Sequence, residues 1–186
     1  SDKKNPQLLK LLQSKNYTAE AMKKSGLFLD SKNGYFERFY SRLIFPICDI
    51  NSDIIAFAGR AVDNDNPAKY INSIETPIYN KSKVFYGLNF SRDAIKNHKS
   101  VILVEGYFDF IKLYQNNIKN VVAISGTSFT DMHASIIKQH TSNIFILFDG
   151  DNAGKKAAIR TGYTLLRNSV NAKIIDIPNN LDPDDW

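Results

Sequence analysis

Glu105, the pair Asp149 and Asp151, and the pair Asp182 and Asp184 are the residues of this sequence whose types and spacing can do chemistry. Glu105 closes the apolar run Val101-Ile102-Leu103-Val104, and Asp149 closes the run Ile144-Phe145-Ile146-Leu147-Phe148. Asp109 lies four residues after Glu105, one turn into the segment that follows, so its side chain can point back to the same rim. Alternate residues of Asp149-Gly150-Asp151 can direct both carboxylates to one place, and Gly150 lets the backbone turn between them. Carboxylates crowded within a few ångströms repel, so either some are protonated or a divalent cation is bound. All-oxygen ligands favour Mg²⁺ or Mn²⁺ over zinc. Magnesium held by a few carboxylates and by substrate phosphates points to phosphoryl transfer. Taken alone, an Asp-Gly-Asp is a loop and a Glu-Gly is a strand end. Their occurrence at successive strand ends, with Asp-Pro-Asp after the last strand, is what favours a site.

The elements that must hold these acids follow from pattern. A continuous apolar run without alternation suits a strand buried on both faces of a parallel sheet. After residue 100, expected strands at 101–105, 121–124, 144–148 and 172–177 alternate with expected helices at 107–116, 130–139 and 152–168. That rhythm means a βαβ sheet with right-handed crossovers. Thr130 and Asp131 read as N-cap residues. The first half reads differently. Residues 5–25 form a helical pair with Thr18 as an N-cap, and residues 34–62 read as strands around the polar turn Asn51-Ser52-Asp53. Pro46 belongs at an edge or bulge. A short helix over 89–98 ends in His98, which reads as a helix C-terminal residue. The expected architecture is α/β: a mixed α+β N-terminal subdomain over 1–98, then a parallel sheet over 99–186.

Hydrophobic residues make up 43% of the chain, enough for a folded core and against disorder. No apolar run approaches the length needed to cross a bilayer, so no membrane partner is expected. The single cysteine, Cys48, excludes an internal disulfide and a cysteine zinc ribbon, and it reads as a small apolar strand residue in a reducing cytoplasm. The net charge of +5 is uneven: residues 1–98 hold 15 Lys+Arg against 10 Asp+Glu, whereas residues 99–186 hold 9 of each. In the basic half Arg38, Arg42, Arg60, Lys69, Lys81 and Lys83 alternate with Tyr35, Phe36, Tyr40, Tyr70, Tyr79 and Tyr86. Cations beside stacking rings suit single-stranded nucleic acid. A mixed sheet with aromatics in the core and cations in water explains the same pattern.

Val-Glu-Gly-Tyr-Phe-Asp at 104–109, Gly-Thr-Ser at 126–128, Phe-Asp-Gly-Asp-Asn-Ala-Gly at 148–154 and Asp-Pro-Asp at 182–184 resemble the Toprim domain, in the version found in bacterial DnaG-type primases. Arg-Leu-Ile-Phe-Pro-Ile at 42–47, Ala-Gly-Arg at 58–60, Lys-Tyr-Ile-Asn-Ser at 69–73 and Tyr-Gly-Leu at 86–88 resemble the basic subdomain of the same family. The resemblance implies a Toprim-type, Rossmann-like sheet and the RNA polymerase core of a primase, which makes short RNA primers on a single-stranded DNA template from nucleoside triphosphates. It implies that Glu105, Asp149, Asp151, Asp182 and Asp184 hold Mg²⁺ (or Mn²⁺). By the same resemblance Glu105 is also implied to assist removal of the 3′-hydroxyl proton. It further implies that Arg60, Lys69, Tyr70, Asn72, Lys81 and Asp109 line the nucleotide pocket, and that Arg38 and Arg42 contact the template. The chain reads as a fragment truncated on the C-terminal side of its Toprim domain. A replicative helicase is expected only through regions absent from it, in a cytoplasmic replisome at the nucleoid. The competing readings are a Toprim-type metal-dependent nuclease and a non-catalytic nucleic-acid-binding module.

Overall fold

The computed structural model describes residues 6–31, 34–63, 66–177 and 181–183. The chain divides into two compact units, one built from Ser1–Ile47 with Ile54–Asn80, the other from Cys48–Asp53 with Lys81–Trp186. Among the described residues no helix is long and apolar enough to cross a membrane.

The first unit begins with helices α1 (Gln7–Ser14) and α2 (Ala19–Lys24). Thr18 caps α2 as its pattern predicts, its hydroxyl accepting from the Ala21 N–H at 3.2 Å. A hairpin follows, β1 (Phe28–Ser31) against β2 (Gly34–Glu37), antiparallel with Phe28 opposite Glu37. Glu37 is buried, and its carboxylate accepts from the Leu9 N–H at 2.9 Å, one of the donors α1 leaves free in its first turn. Strands β3 (Arg42–Cys48), β4 (Ile54–Ala61) and β5 (Tyr70–Asn72) form a second sheet in the order β3-β4-β5. Pro46 therefore sits on an edge strand, where its missing N–H costs nothing. Phe45, Ile47, Ala56 and Ala58 supply the buried side chains of β3 and β4.

The second unit is the one that positions the acids. Helix α3 (Leu88–His98) leads into β6 (Val101–Val104), α4 (Tyr107–Gln115), β7 (Val121–Ala123), α5 (Asp131–Lys138), β8 (Asn143–Ile146), α6 (Asn152–Arg167) and β9 (Asn171–Ile174). The four strands pair in the order β7-β6-β8-β9, all parallel, with Leu103 opposite Val122 on one side and Ile146 on the other. Both faces are covered. Phe85, Ile95, Ile137 and Leu165 pack with Leu103, Ile144 and Ile146, while Phe110 and Ile177 pack with Val104, Val121, Ala123 and Leu147. Two-sided burial is why these strands carry no apolar–polar alternation. Gly87 sits at φ +83° at the start of α3, and a Cβ there would overlap the Phe110 ring.

Candidate active site

The strand order has a chemical consequence. From β6 the chain moves by way of α4 to β7 on one side, whereas from β8 it moves by way of α6 to β9 on the other. β6 and β8 are neighbours whose connections diverge, which opens a crevice beyond their carboxyl ends. Glu105 follows β6 and Asp149 follows β8 by three residues, so both stand at that crevice. The Gly150 N–H donates to the Leu181 carbonyl at 2.9 Å, which brings the segment bearing Asp182 to the same place.

The electrostatics show how close the acids are. Burial pushes the Asp149 carboxyl up to about 7, reinforced by Glu105, Asp182, Asp109 and Asp151 in that order. Burial also raises Glu105, opposed by a hydrogen bond from the Asp149 backbone and reinforced by Asp109, Asp151 and Asp182. Glu105 Oε1 is buried without a hydrogen-bond partner. A buried carboxylate oxygen left without a donor is costly, and a cation is one way to satisfy it.

Not every acid of the cluster is equally available. Asp109 is buried in the first turn of α4, and its Oδ2 accepts from the Gly106 N–H at 2.7 Å. Asp151 is the N-cap of α6, its Oδ1 accepting from the Gly154 N–H at 2.6 Å. Asp182 is exposed, and Asp184 lies outside the described residues. Among the described residues no three His, Cys, Asp or Glu side chains form a ready-made metal cage. Magnesium asks less than a cage: one or two carboxylates suffice when waters and substrate phosphates complete its octahedron. The unpartnered Glu105 oxygen beside Asp149 meets that requirement. Gly154 is the glycine this arrangement cannot lose, because a Cβ on it would overlap the Asp149 carbonyl oxygen.

Glu105 also lies on the wall of a cleft of about 610 Å³ in the second unit, with Ser128, Phe129, Phe148, Arg160 and Tyr163. Arg160 and Tyr163 stand in no motif of the sequence. They lie six and nine residues beyond Gly154 on α6, about one and a half and two and a half turns, and the helix's placement against the 124–129 loop is what sets them on the same cleft as the acid.

The basic candidates divide between the units. In the first, Arg60 and Lys69 line a polar cleft of about 280 Å³ together with Asp63 and Asn66. Tyr70 and Asn72 lie on β5, with Tyr70 opposite Arg60. Arg38 donates through Nε and Nη2 to the Asn72 carbonyl at 3.2 and 2.9 Å. Burial, with Arg42 beside it, lowers the Arg38 guanidinium below its ordinary value. Arg42 Nη1 donates to the carbonyls of Gly59, Ala68 and Lys69 at 3.2, 2.8 and 3.4 Å. Both guanidinium groups thus brace the backbone that carries Arg60, Lys69 and Asn72. In the second unit Lys81 opens a 3₁₀ turn, Lys81–Lys83, ahead of α3.

Residues 1–92 match the family model for the DNA primase catalytic core, N-terminal domain, and residues 102–186 match the Toprim-like model. The DNA primase of Clostridium acetobutylicum is 42% identical over 183 residues, which is 97% of this chain and 30% of that protein. The zinc-binding and RNA polymerase domains of the Aquifex aeolicus primase superpose with a TM-score of 0.88 at 35% identity, covering 95% of this chain and 44% of that one. A DnaG primase catalytic domain bound to single-stranded DNA superposes with a TM-score of 0.82 at 32% identity, covering 94% of this chain and 56% of that one. The chain spans about three-tenths of the length of the full-length relatives it matches.

Proposed function

The chain belongs to the DnaG-type primase family as part of its catalytic core, and from that premise we propose that it carries the nucleotidyl-transfer site of a primase. The reaction is metal-dependent joining of nucleoside triphosphates into a short RNA on single-stranded DNA. The observation that carries this reading is the pair at the divergent strands: a Glu105 oxygen buried without a donor, beside an Asp149 carboxyl pushed up to about 7.

Glu105 and Asp149, with Asp182, Asp151 and Asp184, would hold Mg²⁺ or Mn²⁺. When bound, such an ion offsets charge on the attacking and leaving oxygens of an in-line displacement. The rest falls to the chain. Glu105, whose burial raises its affinity for a proton, would accept the proton of the attacking 3′-hydroxyl. Arg60, Lys69 and Lys81 supply positive charge to the triphosphate, Tyr70 offers a ring face to the base, and Asn72 and Asp109 complete the nucleotide contacts. Arg38 and Arg42, which brace the backbone of that region, bear on the template through the surface they shape. In the cell we place this activity at the cytoplasmic replisome.

The test is de novo dinucleotide synthesis on single-stranded DNA by the full-length primase, in Mg²⁺ and in Mn²⁺. Glu105→Gln keeps the shape and removes the charge, and it is expected to lower synthesis by at least about a hundredfold. Undiminished synthesis in that variant, or cleavage of DNA without added nucleotides, would overturn the reading.

A further inference from the structure

Outside the acid cluster, His133 is fully buried in the first turn of α5. The Thr130 backbone N–H, which can only donate, reaches His133 Nδ1 at 3.2 Å. Nδ1 is therefore the acceptor and the ring proton sits on Nε2. Nε2 lies 3.3 Å from the Val84 carbonyl and donates to it. The Thr130 hydroxyl accepts from the His133 N–H at 3.2 Å and donates to the Ser82 carbonyl at 3.2 Å. Two side chains at the start of α5 thus hold the carbonyls of Ser82 and Val84. The rings of Phe85 and Phe129, with centroids 4.9 and 5.5 Å from the imidazole, keep water away.

The residue type is informative. A capping box normally closes with glutamate or glutamine at this position. Glutamate could accept from the Thr130 N–H, but as a carboxylate it has no proton for the Val84 carbonyl. Neutral imidazole does both at once. Burial lowers the His133 pKa, which keeps the ring in that form. The segment so fixed is the 3₁₀ turn Lys81–Lys83.

We propose that His133, with Thr130, is a positioning latch that fixes the Lys81–Lys83 turn so that the Lys81 ammonium meets the phosphates of the incoming nucleotide. The proposal rests on the reading of Lys81 as a nucleotide contact. His133 touches no substrate; it acts through the backbone that carries Lys81. If it only filled space between Phe85 and Phe129, an apolar side chain of similar size would serve.

The experiment is steady-state dinucleotide synthesis by the full-length primase, reading KM for the nucleoside triphosphate and kcat separately. His133→Leu is expected to raise KM about tenfold with kcat within about twofold of the parent. His133→Gln keeps a donor and an acceptor and is expected to stay within about threefold of the parental KM. Thr130→Val, which deletes the bond to the Ser82 carbonyl, is expected to raise KM by a smaller factor. Lys81→Ala raises KM about as much as His133→Leu, and the double variant adds little further, because both act on one contact. An unchanged KM in His133→Leu overturns the latch, as does a fully additive double variant. Should His133→Leu fail to fold, Thr130→Val and His133→Gln decide: an unchanged KM in the first, or a KM raised tenfold in the second, overturns it. Lys81→Ala with the parental KM overturns the reading of Lys81 itself.

Discussion

Replacing Asp149 by asparagine should stabilise the protein in the absence of divalent metal, the opposite of what removing a polar contact usually does. The carboxyl of Asp149 is held at about 7 against an ordinary 3.8. The sign follows from linkage: a group whose folded-state value is raised favours the fold fully below its unfolded value, and that advantage is lost as pH rises through the folded value. At pH 8 the folded protein therefore carries an ionised Asp149 at a cost. Taken at face value the displacement is worth about 4 kcal/mol. Asp149 is only half-buried, and solvent screening brings this to roughly 1–2 kcal/mol. For a chain of this size that is about 2–8 °C in the melting temperature. The assay is calorimetry in EDTA of Asp149→Asn beside the parent at pH 8 and at about pH 3, below the ordinary carboxyl value. The variant should melt higher at pH 8, and the gap should nearly close at the lower pH. With saturating Mg²⁺ the order should reverse, because only the parent gains the binding free energy. A variant that melts at or below the parent in EDTA at pH 8 refutes the crowding of carboxylates on which the metal reading stands.

Other substitutions probe the same architecture. Gly154→Ala pushes a Cβ into the Asp149 carbonyl, and synthesis should fall at least about tenfold with a cost of about 1–3 kcal/mol in stability, read by activity and urea titration. Arg42→Lys cannot span the carbonyls of Gly59, Ala68 and Lys69, so the first unit should lose about 1–2 kcal/mol, measured as a lower denaturation midpoint. Gly87→Ala meets both a left-handed backbone and the Phe110 ring, and a loss of about 2–4 kcal/mol is expected from thermal melting.

Much of the second unit could be read from the chain because its strands are buried on both faces and their apolar runs end in polar turns. The helices over 107–115 and 152–167 fall within a residue of expectation, and Thr130 is the N-cap its position predicts. Asp131, read beside it as a cap, is instead the first helical residue. The strand at Phe28–Ser31 was not foreseen; four residues are too few to show a period, and its partner is what makes it a strand. Strand order was also beyond the sequence, since periodicity carries no information on which strands are neighbours. It is that order which places Glu105 and Asp149 together. Residue type marks the acids, but which of them cap a helix depends on backbone N–H directions. Gly106 and Gly154 aim their N–H groups at Asp109 and Asp151, and no spacing rule reports that. For the same reason Arg38 and Arg42 show themselves as braces only once their carbonyl acceptors are located.

The pairing of β6 with β8 also works as a ruler. Leu103 stands opposite Ile146, and each chain then runs two or three residues further before presenting its acid. Slipping that pairing by one residue would slide Glu105 past Asp149 by about 3.3 Å. Magnesium–oxygen bonds are about 2.0–2.1 Å long and tolerate little distortion. Insertions or deletions in these two strands are therefore graded against a tolerance finer than the step they impose. The helices and loops that follow can vary in length with far less consequence, because they set where the chain returns and not the spacing of the two acids.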